Sequence, residues 1–384
     1  MMTNPPKGRP TYCTIDLAAL RWNFQQVRKL VGPRVKILSI IKANAYGHGA
    51  VEAAQALAQA GSNGFGVATV EEAIELRAAG VRGGLVVLTA VTPGQLDEFQ
   101  KHNLTPAISD LKTLAAFDNL VFGKHGPALG FHLKIDSGMG RLGLRYSDVD
   151  AWLAAIVSLR GLRLEGIFSQ LGHADGDAEF TQAQVKNFQA VAERLRAAGV
   201  AAPLLHLANS AGIIAAPDAH ATMVRPGIML YGCYPAPDMK QKVELKPVLA
   251  WKTRIADVKE LPAGASVGYG RTFTAKRNSR IAALPVGYAD GYHRLLSNRG
   301  AVLVRGKRAP IAGRISMDLT MIDVTDIAEV AQGDEVVLIG RQGEETISAD
   351  EVAGWAETIS YEVLTSVSAR VPRVHLNSEP SKED

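Results

Sequence analysis

The chain has 384 residues, 47% of them hydrophobic and 21% charged, with a formal net charge of +4. At about 150 residues per domain, that suffices for two or three domains with sizeable cores and excludes wholesale disorder. So small a charge, spread along the chain, gives no nucleic-acid footprint and no basic membrane-binding face. Two cysteines, Cys13 and Cys233, make neither a disulfide framework nor a four-cysteine zinc site. No metal is expected. The polar N-terminus has no apolar signal core, and the apolar runs fall well short of the ~20 residues of a membrane span. A soluble cytoplasmic protein with reduced thiols is the expectation.

Residues 11–15 read as a strand. Asp16 then suits the N-cap of a helix carrying Leu17, Leu20, Phe24, Val27 and Leu30, which Gly32-Pro33 ends. Eight apolar or β-branched runs follow, at 35–41, 64–68, 85–89, 105–108, 131–135, 164–168, 204–207 and 223–230. Helical stretches at 50–60, 70–79 and 181–198 lie among them, with Gly61, Gly80 and Gly199 where C-caps belong. This alternation predicts an N-terminal (β/α)8 TIM-type barrel. On pattern alone, an open doubly wound sheet is the alternative. After Pro247 the runs at 248–258, 281–286, 301–304, 319–324 and 335–339 are strand-like, and helix signals return only at 348–370. The predicted organisation is a tail and strand over 1–15 packing with the β domain, a barrel over 16–236 and a mainly β domain over 237–384.

In a barrel, chemistry sits on the loops after the carboxyl ends of the strands. Lys42 follows the first run. Asp136 and Arg141 follow the fifth; Gln170, His173 and Asp175 follow the sixth. His206, Asn209 and Ser210 belong to the seventh, and Arg225, Gly227 and Tyr231 to the eighth. Reactive residues thus collect at one predicted rim. A lysine at the barrel mouth has its pKa lowered by desolvation, which suits Schiff-base chemistry. The Ser210 hydroxyl and the backbone at Gly227 offer donors to a phosphate. A Schiff-base lysine opposite a phosphate cradle is what pyridoxal phosphate requires, although other barrel enzymes remain open on these residues alone.

The motif Lys42-Ala43-Asn44-Ala45-Tyr46-Gly47-His48-Gly49 resembles the cofactor-lysine motif of alanine racemases, fold-type III pyridoxal-phosphate enzymes. Further similar segments run in order at 133–144, 206–212, 225–232, 268–272, 287–292, 313–318 and 358–362. Each is weak alone, and the ordered set is specific. The resemblance implies that Lys42 carries the cofactor and that Tyr46, Ser210, Gly227, Ile228 and Tyr361 bind its phosphate. Arg225 would face the pyridine nitrogen, with His206 and Asn209 also in the cofactor site. Arg141 would contact the cofactor and the substrate carboxylate, and Lys134 matches a lysine often carbamylated in the family. Tyr269 matches the second catalytic base; Met317, beside Ser316, matches a substrate contact. Tyr288, Asp175, Arg294 and Arg314 match entry-channel positions. Asp177 reads as a solvated loop residue. The resemblance further implies a homodimer in which Tyr269 and Met317 reach the partner's site.

Racemisation removes the Cα hydrogen from one face and returns a proton to the other, so two bases on opposite faces suffice. Lys42 and Tyr269 fit, the family analogy giving Lys42 the proton of the D-isomer and Tyr269 that of the L-isomer. Both groups ordinarily titrate near ~10, so burial or positive charge must lower them; Arg141 and Arg271 are candidate sources. Two departures stand out. Gln170 occupies a position where the family commonly has histidine, so either Gln170 or His173 fills that role. Ser316 replaces a more usual cysteine. The activity implied is interconversion of L- and D-alanine, supplying D-alanine for peptidoglycan synthesis in a bacterium. The alternatives are a broader-specificity racemase, a decarboxylase of the same fold type, and a non-catalytic pyridoxal-phosphate-binding protein. The last resembles the barrel alone.

Overall fold

A computed structural model describes residues 8–378. Residues 1–7 and 379–384, the ends of the expected tail and β domain, lie outside the described residues. The chain divides into two compact units. One comprises Leu20–Ala45 and Ala50–Lys246; the other gathers the N-terminal residues through Ala19, Tyr46–Gly49 and the chain from Pro247 onward.

The first unit is a closed parallel barrel. Its strands are Lys36–Ile40, Gly64–Val67, Gly84–Val87, Thr105–Ile108, Leu129–Asp136, Leu162–Phe168, Leu204–His206 and Met223–Val224. Each pairs in parallel with the next, and the eighth closes on the first through Met223↔Lys36 and Val224↔Ile37. The ring of pairings excludes the open sheet. Phe65, Phe131, Leu133 and Ile167 are among the fully buried side chains of these strands. Capping chemistry sets several helix ends. Thr69 and Glu72 form a capping box for Val70–Ala78, and Asp177, expected only as a solvated residue, caps Ala178–Ala197. The eighth strand is shorter than its apolar run. Pro226 has no N–H for a ladder, and Ile228–Tyr231 coils into a 3-10 turn.

The second unit is mainly β. Its large sheet runs, in spatial order, Lys307–Pro310, Ala301–Val304, Glu335–Gln342, Leu249–Arg254, Tyr12–Asp16 and Arg373–Leu376. A second sheet joins Asp257–Leu261, Ser279–Leu284 and Thr320–Asp323. The single strand expected over 248–258 is therefore two. The chain leaves one sheet at Arg254 and enters the other at Asp257, because Ile255 N–H donates to the Asp334 carbonyl and Ala256 N–H to the Ala283 carbonyl. The helical region near 348–370 also divides, into Ala349–Trp355 and Ser360–Ser366, with Glu357 at φ 55° between them. No helix among the described residues is long and apolar enough to cross a membrane.

Candidate active site

Lys42 follows the first barrel strand with one residue, Ile41, between them, and the backbone there takes an uncommon path. Ala43, Asn44, Ala45 and Tyr46 have φ of 52°, 53°, 53° and 53°, so Lys42–Gly47 is a left-handed helical turn. L-residues meet a steric cost of roughly 1–2 kcal/mol each in that conformation. Tertiary bonds hold the turn open. The Ala43 N–H donates to Glu72 Oε1 at 2.6 Å, and Asn44 Oδ1 accepts the Ala50 N–H at 2.8 Å. Glu72 was not singled out in the sequence; its position three residues after the Thr69 cap was the available signal. The Lys42 amine stands at the open mouth with its pKa lowered. Burial by the surrounding walls is the largest cause, Arg141 and Arg225 add to it, and Glu72 opposes it.

Arg225 is buried beside this mouth. Its Nη1 donates to the His206 carbonyl at 2.6 Å, and its Nη2 to the Ser169 carbonyl at 2.6 Å, the Leu207 carbonyl at 3.2 Å and Gln170 Oε1 at 3.0 Å. Gln170 thus takes the bond that the sequence left between it and His173. The His173 ring instead lies over Gly176 of its own loop. Nη1 also meets His206 Nδ1 at 3.2 Å. A guanidinium only donates, so Nδ1 accepts, and neutral His206 keeps its proton on Nε2 and donates it to His132 Nδ1 at 2.8 Å. The Arg225 Nε–H has no acceptor among the described residues. Burial pushes Arg225 down to about 9, still charged at neutral pH.

The histidine pair rests on Phe168, which stacks on His206 with centroids 4.9 Å apart. Burial, then Arg225, pushes His132 down to about 4; burial, then His132, Arg225 and Lys134, hold His206 well below its ordinary value. Both rings are therefore neutral in the fold. The unfolded chain binds a proton at His132 below about 6.5 while the folded chain does not. Stability should accordingly fall as pH drops from about 6.5 toward 4. A thermal-melt series in wild type and His132→Gln checks this. An equally steep slope in the variant would rule His132 out as the cause.

Lys134 lies on the fifth strand, buried, with its Nζ 4.4 Å from the Phe168 ring centroid. It has no ion-pair partner among the described residues. Burial, then Arg225 and Arg141, push it down to about 7, with Asp136 opposing. Asp136 Oδ1 accepts from Gly138 and Gly140 N–H groups at 3.0 Å each, shaping the loop to Arg141, which is exposed. Buried Ser210 accepts the Gly227 N–H at 3.0 Å and the Met229 N–H at 3.4 Å, leaving its own hydroxyl proton to donate. The Asn209 side chain is engaged as the cap of Ser210–Ala215. Ile228 opens the following 3-10 turn, and Asp175 is exposed in the loop after the sixth strand. The barrel thus brings Lys42, Lys134, Gln170, Ser210, His206, Arg225 and Gly227 to one rim.

The remaining candidates belong to the second unit. Tyr46 is buried, burial pushing its phenol up to about 12, and its ring centroid lies 6.1 Å from that of Tyr361. Tyr269 tops a hairpin formed by Ser266–Val267 and Phe273–Thr274, between Gly268 and Gly270 at φ 72° and 71°. Tyr269 is 72% exposed and Met317 53%. A cleft of about 480 Å³ is lined by Tyr269, Ser316, Leu319 and Met321 among others. Arg271, a candidate charge for Tyr269, is committed to Ser266 at 2.9 Å, whereas the Arg314 guanidinium lies over Gly270. Tyr288 and Arg294 are exposed on neighbouring 3-10 turns.

The sequence matches the family "Alanine racemase, N-terminal domain" over residues 15–235 and "Alanine racemase, C-terminal domain" over residues 248–375. Among curated relatives, alanine racemase of Halothermothrix orenii is 45% identical over 370 residues, covering 96% of this chain and 97% of that protein. Alanine racemase of Symbiobacterium thermophilum is 44% identical over 372 residues, covering 96% and 97%. Among solved structures, alanine racemase from Bacillus anthracis with bound L-Ala-P superposes with a TM-score of 0.91 at 33% identity, covering 97% of each chain. With the barrel rim, the β unit and these matches over nearly its whole length, the chain belongs to the alanine racemase family.

Proposed function

We propose that this chain interconverts L- and D-alanine with pyridoxal phosphate held at the barrel mouth, using Lys42 and Tyr269 as its two bases. The observation that carries the cofactor reading is Arg225. Protein acceptors occupy both of its terminal nitrogens, while its Nε–H is without one among the described residues. That leaves a fixed cationic donor suited to a ring nitrogen. The rest of the rim fits the same group. Lys42 offers an amine with lowered pKa for the aldehyde, and the Ser210 hydroxyl proton suits the phosphate. Tyr46, Gly227, Ile228 and Tyr361 complete the proposed phosphate set; His206 and Asn209 support it from the seventh strand and its loop.

When bound, the cofactor withdraws electrons from the substrate Cα and acidifies its hydrogen. Lys42 takes that proton from the D-isomer, and Tyr269 takes it from the L-isomer. Arg141 and Met317, with Ser316 beside it, orient the substrate carboxylate. Arg225 remains charged and cannot yield its proton to the ring nitrogen. It thereby moderates the electron sink and favours prompt return of the proton over side reactions. High exposure of Tyr269 and Met317 supports a homodimer in which each chain lends them to its partner. Tyr288, Asp175, Arg294 and Arg314 would line the approach. We place the enzyme in the cytoplasm of a bacterium, its D-alanine entering peptidoglycan synthesis. Assay of an L-amino-acid panel for loss of optical rotation tests the reading. No racemisation would refute it, and faster turnover of lysine or arginine than of alanine would indicate the broader-specificity enzyme.

Lys134 gives a separate expectation. With its pKa near 7, much of it is free amine at neutral pH, the form that adds carbon dioxide. The amine nitrogen bonds to the carbon, one proton leaves, and the product carbamate is an anion among Arg141, Arg225 and Lys42. Labelled bicarbonate should give a carbamate carbon resonance that Lys134→Ala removes. Its absence from the wild-type protein would count against the modification.

A further inference from the structure

Ser316 and Met317 are gripped by their carbonyls. The Tyr288 N–H donates to the Ser316 carbonyl at 3.1 Å, and the Ala289 N–H to the Met317 carbonyl at 3.0 Å. Gly287 lies against the same two oxygens. A Cβ there would sit 2.3 Å from the Ser316 oxygen and 2.4 Å from the Met317 oxygen, so a side chain would displace both. The place of residues 316–317 is therefore set by the turn that Gly287 leads.

That turn depends on Asp290. Its side chain is 0% exposed, and its Oδ2 accepts the Gly287 N–H at 3.0 Å, closing the turn on itself. Its carbonyl accepts the Ser368 N–H at 3.0 Å. A carboxylate so buried requires a cation. Arg9 meets it with both terminal nitrogens, Nη1 to Oδ1 at 2.5 Å and Nη2 to Oδ2 at 2.6 Å, a bidentate fork. The same arginine reaches the Pro285 carbonyl at 3.3 Å. Arg370 stands on the other side. Its Nε is 3.5 Å from Asp290 Oδ1, and its Nη2 donates to Asp318 Oδ1 at 2.7 Å. Arg9, Asp290, Arg370 and Asp318 thus form one chain of charges ending at the residue after Met317.

We propose that Arg9 and Arg370 are positioning residues for the reaction: through Asp290 they lock the turn at residues 287–290, and through that turn and Asp318 they hold Ser316 and Met317 in register for the substrate carboxylate. The proposal rests on the reading of Ser316 and Met317 as substrate contacts. It gives the N-terminal segment, 281 residues from Asp290 in sequence, a part in substrate binding.

The test uses full-length, cofactor-loaded protein. Arg9→Gln and Arg370→Gln should each raise KM for alanine roughly tenfold while kcat stays within about twofold. Amide hydrogen exchange at Tyr288 and Ala289 should quicken in both, a readout independent of turnover. Arg9→Lys keeps the charge without the fork and should give an intermediate KM. Arg370 is 46% exposed, so its variant keeps the test open where Arg9→Gln weakens the fold. Met317→Ala examines the underlying reading. An unchanged KM there removes that reading and the proposal with it. A raised KM in Met317→Ala, with KM and exchange unchanged in both arginine variants, overturns the proposal alone.

Discussion

Lys42→Ala should leave the protein folded, unable to hold pyridoxal phosphate covalently, and slower in racemisation by at least about 10³-fold. Borohydride reduction followed by peptide mapping measures the covalent loss, and optical rotation measures the rate. Lys134 is the internal control. It is a second amine with a lowered pKa, but it is buried against Phe168, whereas Lys42 stands open at the mouth. Covalent loading that moved to Lys134, or persisted without Lys42, would contradict the assignment. The electrostatics add a sign. Burial lowers the Lys42 pKa most, and Arg141 comes next. Removing the Arg141 cation should raise that pKa and reduce the free amine at fixed pH. An Arg141→Gln protein should therefore need a higher pH to load cofactor at the wild-type rate.

Tyr269→Phe should separate the two faces of the reaction. The variant should load cofactor normally, yet interconvert the isomers roughly 10³-fold more slowly. Lys42 would still remove and return the proton on its own side. D-alanine in deuterated solvent should thus exchange its Cα hydrogen without becoming L-alanine, while L-alanine should exchange hardly at all. Equal loss of exchange from both isomers would show that Tyr269 is not a one-sided base. The exposed hairpin makes a second arm available. Mixing Lys42→Ala with Tyr269→Phe chains should restore partial activity if one chain's Tyr269 serves its partner's Lys42. No recovery from a demonstrated mixed dimer would confine both bases to a single chain.

Much of the barrel could be read from local chemistry. Its strands are short apolar runs, and Gly61, Gly80 and Gly199 mark helix ends with φ of 98°, 80° and 76°. Lys42 and Ser210 stood out because each follows such a run, and Arg225 because it is the one charged residue inside the run at 223–230. What stayed hidden depends on distant partners. His132 looks like one more strand residue until its ring meets His206, 74 residues away. Asp290 looks like a turn residue until Arg9 reaches it. The break between Arg254 and Asp257 is invisible in a continuous strand-like run, because it comes from a change of neighbouring sheet. Gln170 is the intermediate case. The departure from the family was readable, but only the bond to Arg225 separated it from His173.

The left-handed turn after Lys42 has a consequence for anyone moving this site elsewhere. Alanine and tyrosine have no inherent reason to coil that way, and asparagine favours it only as a single residue, so an isolated peptide of residues 42–49 would relax to other conformations. The partners that hold it lie outside the turn: Glu72 accepts the Ala43 N–H, the Ala50 N–H donates to Asn44, and Arg373 and His375 reach the Gly47 and His48 carbonyls. The motif is therefore not a portable part. Grafted onto another barrel it would carry its letters but not its hand, and its amine would point somewhere else.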